Sequence, residues 1–188
     1  MQLDCQINEF IEEVRSGAVE IYNEISLQHE LGLFLRRQLS DCKVQFERNV
    51  SQFQLQKSDF EKKEIDIAVT SAESDEPLSA IELKYPRNGQ FPESMFSFCK
   101  DIKFLEQLVD SGFQSAYFLV IADHPQFYSG NCIGNEIYGY FRSGVPITGI
   151  ITKPTGSRNK EVNIKGSYTA SWNEVSGNTK FCLIRVGG

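Results

Sequence analysis

Asp66, Glu82 and Lys84 are the residues of this chain whose types and spacing could do chemistry together. They lie in two short segments, Glu64-Ile65-Asp66-Ile67-Ala68-Val69 and Ala80-Ile81-Glu82-Leu83-Lys84-Tyr85, in which apolar and polar residues alternate. Period-two alternation marks β-strands. It puts Ile65, Ile67 and Val69 on one face of the first strand and Glu64, Asp66 and Ala68 on the other; in the second, Ala80, Glu82 and Lys84 oppose Ile81, Leu83 and Tyr85. The polar link from Ser71 to Pro77 reads as a hairpin loop, and pairing of the strands would bring Asp66, Glu82 and Lys84 onto one surface. Two carboxylates forced together in a half-buried place repel and need a cation. A hard divalent ion suits them: Mg2+ favours carboxylate oxygens and keeps waters that can become nucleophiles. Lys84, on the face of Glu82, would stand beside such a water.

The elements around this hairpin must position it. A helix is expected from about Ser26 to Leu39, with Leu27, Leu31, Phe34 and Leu35 as its apolar stripe. Glu30 falls three residues after Leu27 and four before Phe34, inside that stripe, where a carboxylate must be paired, protonated or bound. Residues 43–50 alternate as a further strand, with Glu47 and Arg48 on opposite faces. After Pro86 and Gly89 a helix is expected over about Glu93 to Ser111, closed by Gly112, with Met95, Phe98, Ile102, Leu105 and Val109 facing the sheet. Ala116 to Ala122 is a near-continuous apolar run, the mark of a strand buried on both faces and reached by a crossover.

An acid on one strand followed by Glu-x-Lys on the next, here Ile65-Asp66 and Glu82-Leu83-Lys84, resembles the PD-(D/E)xK nuclease superfamily, with isoleucine where that motif has proline. The resemblance covers about residues 26–123, whose expected order of helix, three strands, helix and strand is the superfamily's αβββαβ core. It implies an α/β, restriction-endonuclease-like fold with a mixed sheet flanked by helices. It also implies a metal-dependent phosphodiesterase acting on DNA, with RNA left open. Asp66, Glu82 and the Leu83 carbonyl would hold Mg2+ or Mn2+, Glu30 would assist from the preceding helix, and Lys84 would position the attacking water. A member of the fold that binds nucleic acid or a partner protein without turnover is the alternative. A structural ion-pair network is a third reading of the same residues.

Length and composition suit one domain over residues 1–188, with an N-terminal helix over 5–16 and C-terminal strands added to the core. The chain has 25 acids against 19 bases, a net charge of −6 that argues against a generic nucleic-acid binder. The charge is uneven, however: residues 36–63 carry seven bases against four acids, and residues 151–188 six against two. Arg36, Arg37, Lys57, Lys62 and Lys63, together with Lys100 and Lys103 one helical turn apart, are the candidate phosphate contacts. Five scattered cysteines, none in Cys-x-x-Cys spacing, read as reduced thiols of a cytoplasmic protein. His29-Glu30 lacks the second histidine of a zincin helix, since Leu33 stands there. No apolar run approaches a membrane span, and the segments 152–160 and 173–179 read as loops between edge strands. A homodimer is left open.

Overall fold

The computed structural model describes residues 1–55, 60–87, 89–133, 136–156 and 160–187; Lys57 lies outside them. The chain runs α1 (Asp4–Arg15), α2 (Glu24–Gln38), β1 (Cys42–Asn49), β2 (Glu64–Ser71), β3 (Pro77–Lys84), α3 (Phe91–Asp110), β4 (Ser115–Ala122), α4 (Ile137–Arg142), β5 (Ile147–Thr152), β6 (Glu161–Tyr168), β7 (Trp172–Ser176) and β8 (Thr179–Val186). Among the described residues, six strands form one mixed sheet in the order β1-β2-β3-β4-β8-β7, and β5 and β6 pair separately. The meander β1-β2-β3 is antiparallel, α3 crosses over to bring β4 parallel to β3, and β8 returns antiparallel to β4.

The apolar spacing explains the layers. In β4 every residue is buried: Ala116, Phe118 and Val120 join the core under α3, while Tyr117, Leu119 and Ile121 join the core under α1 and α2. The helix α3 supplies Met95, Phe98, Ile102 and Leu105 to the first core, and α2 supplies Leu27, Leu31, Phe34 and Leu35 to the second. An Asn23 and Ser26 capping box starts α2 two residues before the position that apolar spacing alone suggests.

The structure departs from the expected arrangement at three places. The loop expected over 173–179 holds most of β7, and β5 goes unseen, its last residue Thr152 falling in the loop expected over 152–160. The C-terminal strand β8 lies inside the sheet between β4 and β7, as its buried Cys182, Ile184 and Val186 require. Ile65 also belongs to the core under α3, whereas Ile67 and Val69 face α1 and α2. The alternation breaks at Asp66, where β2 leaves its ladder with β3. No helix among the described residues is long and apolar enough to cross a membrane.

Candidate active site

The β2-β3 ladder pairs Ile67 with Ile81 and has no backbone pair beyond it at Asp66 and Glu82. Side chains take over there. Leu83 N–H donates to Asp66 Oδ2 at 2.8 Å, and Asp66 N–H donates to Glu82 Oε1 at 3.3 Å. Each strand's acid thus accepts from the other strand's backbone, which holds the two strand ends together and both carboxylates in place. Across β1 the chain bends as well: Glu47 has φ 48°, in the left-handed region that costs a residue with a side chain about 1 kcal/mol. Gln28 of α2 spans the bend, its Nε2 donating to Glu47 Oε1 at 2.6 Å and to the Asp66 carbonyl at 2.8 Å.

The cluster has a third acid. Asp101 of α3, 3% exposed, comes down onto the fully buried Glu82, and Asp66 completes the group. Two ammonium groups stand among them. Lys62 Nζ contacts Glu82 Oε2 and lies 3.2 Å from Asp101 Oδ1 and 3.8 Å from Asp66 Oδ1. Lys84 Nζ donates to the Leu83 carbonyl at 2.7 Å and lies 3.4 Å from Glu24 Oε1 and 3.5 Å from Asp101 Oδ2. At that separation Asp101 Oδ2 forms an ion pair but accepts no hydrogen bond. Burial and the neighbouring Asp66 push the Glu82 carboxyl well above the usual carboxylate range, with Lys62 pulling the other way. Burial opposes the charge on Lys62, yet Glu82, Asp101 and Asp66 outweigh it and raise its pKa. The same holds for Lys84, where Asp101, Asp66 and Glu24 overcome burial. Both lysines are therefore cations, and Lys84 is poorly suited to be a general base.

Asp66, Glu82 and Lys84 thus come together, but the helix acid is a different one. Glu24 and Gln28 are four residues apart on the flank of α2 that reaches the strand ends; Glu24 also accepts from Tyr85 N–H at 3.2 Å. Glu30, two residues past Gln28, is turned some 200° away, half-buried, and lies 3.4 Å from His29 Nδ1. Its contacts place it outside the cluster. Lys62, expected to meet phosphates, is instead the cation at the cluster's centre. Arg36 donates to the Val44 carbonyl and stacks 4.7 Å from the Phe46 ring centroid, and Arg37 pairs with Glu13. Lys103 is mostly buried against Glu106. Lys63 is exposed, and Lys100 lies 4.0 Å from Glu61. Asp101, which the sequence reading missed, carries the signal that singled out Glu30: it follows Phe98 by three and precedes Leu105 by four, within an apolar stripe.

Contacts with α3 hold Lys62 in place. Glu61 N–H donates to Gln107 Oε1 at 2.9 Å, Phe60 packs edge-on against Phe104, and the Lys62 ammonium lies 5.8 Å from the Phe104 ring centroid. Beside this stretch, a groove of about 570 Å³ runs between α3 and the β5-β6 pair, lined by Glu61, Ser97, Lys100, Lys153 and Lys160 among others. Its walls adjoin the cluster, because Glu61 precedes Lys62 and Lys100 precedes Asp101.

Asp66, Glu82 and Asp101, from β2, β3 and α3, are the carboxyl groups that could offer oxygens to a hard divalent ion, and Asp101 Oδ2 among them is buried without a hydrogen bond. In the arrangement described, no three His, Cys, Asp or Glu side chains among the described residues stand as a ready metal cage. The Leu83 carbonyl is likewise engaged by Lys84. Comparison with protein-family models, with curated proteins and with solved structures finds no match to this chain.

Proposed function

We propose that the chain is a metal-dependent phosphodiesterase acting on nucleic acid, with DNA as its substrate. The observation that carries the reading is the meeting of Asp66, Glu82 and Asp101 from three elements around one cation position, with Lys84 alongside. The meander β1-β2-β3 followed by the α3 crossover to β4 supports the restriction-endonuclease-like fold that goes with it. Asp66, Glu82 and Asp101 would hold Mg2+ or Mn2+, with Asp101 in the place first given to Glu30. A bound ion of this kind polarises a phosphate oxygen and acidifies a coordinated water. Lys84, fixed by Leu83, Glu24 and Asp101, remains an ammonium that orients the attacking water and stabilises charge as it develops on the phosphate. The groove beside the cluster, with Lys100, Lys153 and Lys160 on its walls together with Glu61, Glu93 and Glu161, would give the polymer a path in which the lysines meet phosphates.

One observation favours a rival: Lys62 already neutralises the acids, as a structural ion-pair network would have it. Calorimetric titration with Mn2+ and a cleavage screen over single-stranded, duplex and branched DNA and RNA separate the two. The enzyme takes up Mn2+ and cleaves; Lys84→Ala should keep metal and substrate binding and lose about 10²–10⁴ in single-turnover rate. Absence of Mn2+ uptake by the parent protein would leave the structural network as the better account, and a parental rate in Lys84→Ala would remove Lys84 from the chemistry.

A further inference from the structure

Lys62 occupies the one place in the cluster that faces an oxygen of all three acids, Glu82 Oε2, Asp101 Oδ1 and Asp66 Oδ1. We infer that Lys62 is the resident counter-ion of this cluster and competes with a divalent metal for the position, so that metal binding displaces its side chain. This rests on the metal-dependent reading above and adds to it a residue that governs how readily the site accepts its ion.

Charge and geometry both support the exchange. The Lys62 ammonium brings one positive charge to three carboxyl groups in a place largely closed to water; a divalent ion there brings two. A metal ion also offers coordination in several directions at once, whereas an ammonium has three donors. That difference matters at Asp101, 3% exposed, whose oxygens are divided between the two ammonium groups, Oδ1 toward Lys62 at 3.2 Å and Oδ2 toward Lys84 at 3.5 Å, and whose Oδ2 accepts no hydrogen bond from either.

The two lysines are not equivalent as candidates for displacement. Lys84 extends from β3 and is tied to its own strand by the Leu83 carbonyl and to α2 by Glu24. Lys62 lies two residues before β2, outside the ladder, with its side chain 27% exposed. Rotation about its four-carbon stem removes the ammonium without moving a strand, because Phe60 and Glu61 hold the neighbouring backbone to α3 through contacts that do not involve the Lys62 side chain.

Two measurements test this. Calorimetric titration with Mn2+ of Lys62→Met, which keeps the length of the stem and removes the charge, should give a dissociation constant at least about tenfold lower than the parent's, which is the effect of about 1.4 kcal/mol of relieved competition. In the parent protein, acetylation of lysines followed by mass spectrometry should modify Lys62 several-fold faster with saturating Mg2+ than without it. Lys103, held by Glu106, serves as the internal reference and should not change. This second measurement needs no variant to fold. Equal Mn2+ affinity in parent and Lys62→Met, or a Lys62 acetylation rate indifferent to Mg2+ in a protein that binds it, overturns the competition while leaving the phosphodiesterase reading in place. Failure of both proteins to bind Mn2+ overturns both.

Discussion

Asp66 has a structural task as well as a chemical one, and the two come apart on substitution. Asp66→Ala removes the acceptor of the Leu83 N–H bond, 2.8 Å long, and leaves that donor buried in a residue with no exposure. A lost bond to a charged acceptor costs about 1.5–3 kcal/mol, and leaving the donor unsatisfied falls in the same range, so the variant should lose about 2 kcal/mol. Asp66→Asn also removes the charge, and with it the repulsion on Glu82, but keeps an oxygen for Leu83. Its amide nitrogen turns toward Lys62, 3.8 Å away, which retains its two nearer carboxylates. Asp66→Asn should therefore stay within about 1 kcal/mol of the parent protein while losing metal uptake, since one of three anionic donors has become neutral. Urea unfolding followed by circular dichroism measures both, with slopes expected to match the parent's. In thermal melts the alanine variant should fall by about 4–8 °C, at roughly 2–4 °C per kcal/mol for a chain of this size. Coincident unfolding of the alanine and asparagine variants would show that Asp66 does not substitute for the missing ladder bond.

Two further tests probe the scaffold. Gly32 sits in α2, where alanine would ordinarily gain about 1 kcal/mol of helix propensity, but its Cβ would collide with the Phe46 ring on which Arg36 stacks; overpacking of about 1–3 kcal/mol should win, and a higher midpoint for Gly32→Ala in urea would contradict the close approach of α2 to β1. Burial pushes the Cys99 thiol up and the Cys182 thiol up to about 12, so both stay protonated at pH 8. Native alkylation at that pH, read by peptide mass spectrometry, should label exposed Cys5 and spare both of them; a Cys182 as reactive as Cys5 would take β8 out of the sheet interior.

Where burial repeats with a clean period, the sequence was readable. Alternation in β2 and β3 and the apolar run of β4 located the strands and placed Glu82 and Lys84 on a common face, because a sheet buried on both sides leaves few other places for such residues. The helix acid was misread for a physical reason. An apolar stripe says that one side of a helix is covered but not which of its flanks meets the strand ends: in α2 that flank carries Glu24 and Gln28, and Glu30 lies beyond it beside His29. In α3 the stripe packs on the sheet, and the same spacing at Asp101 does lead there. Glu24 and Gln28 were unreadable because their partners, Tyr85 N–H and Lys84 for the one and the Asp66 carbonyl and Glu47 for the other, come within reach only where the strands part. Lys62 looked like a surface cation because local sequence does not reveal that Phe60 and Glu61 dock the segment onto α3. The strands β5 and β7 escaped notice because each keeps only a short buried pattern among exposed residues.

The β5-β6 pair forms no ladder with the main sheet, and Glu106 of α3 fastens it. That carboxylate accepts from the backbone of Lys165 at 3.0 Å, from the backbone of Gly166 at 2.6 Å and from the Tyr168 hydroxyl at 3.2 Å. The pair also forms one wall of the groove beside the acid cluster, at its other end, through Lys160 and Glu161. The pair is held as well by its buried face, Ile147, Ile151, Val162 and Ile164, in the core under α3, and by Lys165 against Asp110, so this wall is fastened to the helix that carries Asp101 by more than one side chain. The opening through which a polymer would pass is thus tied to the same helix as one of the acids that would meet it, while its two strands pair outside the main sheet, where a change in their sequence leaves the main sheet's ladders intact.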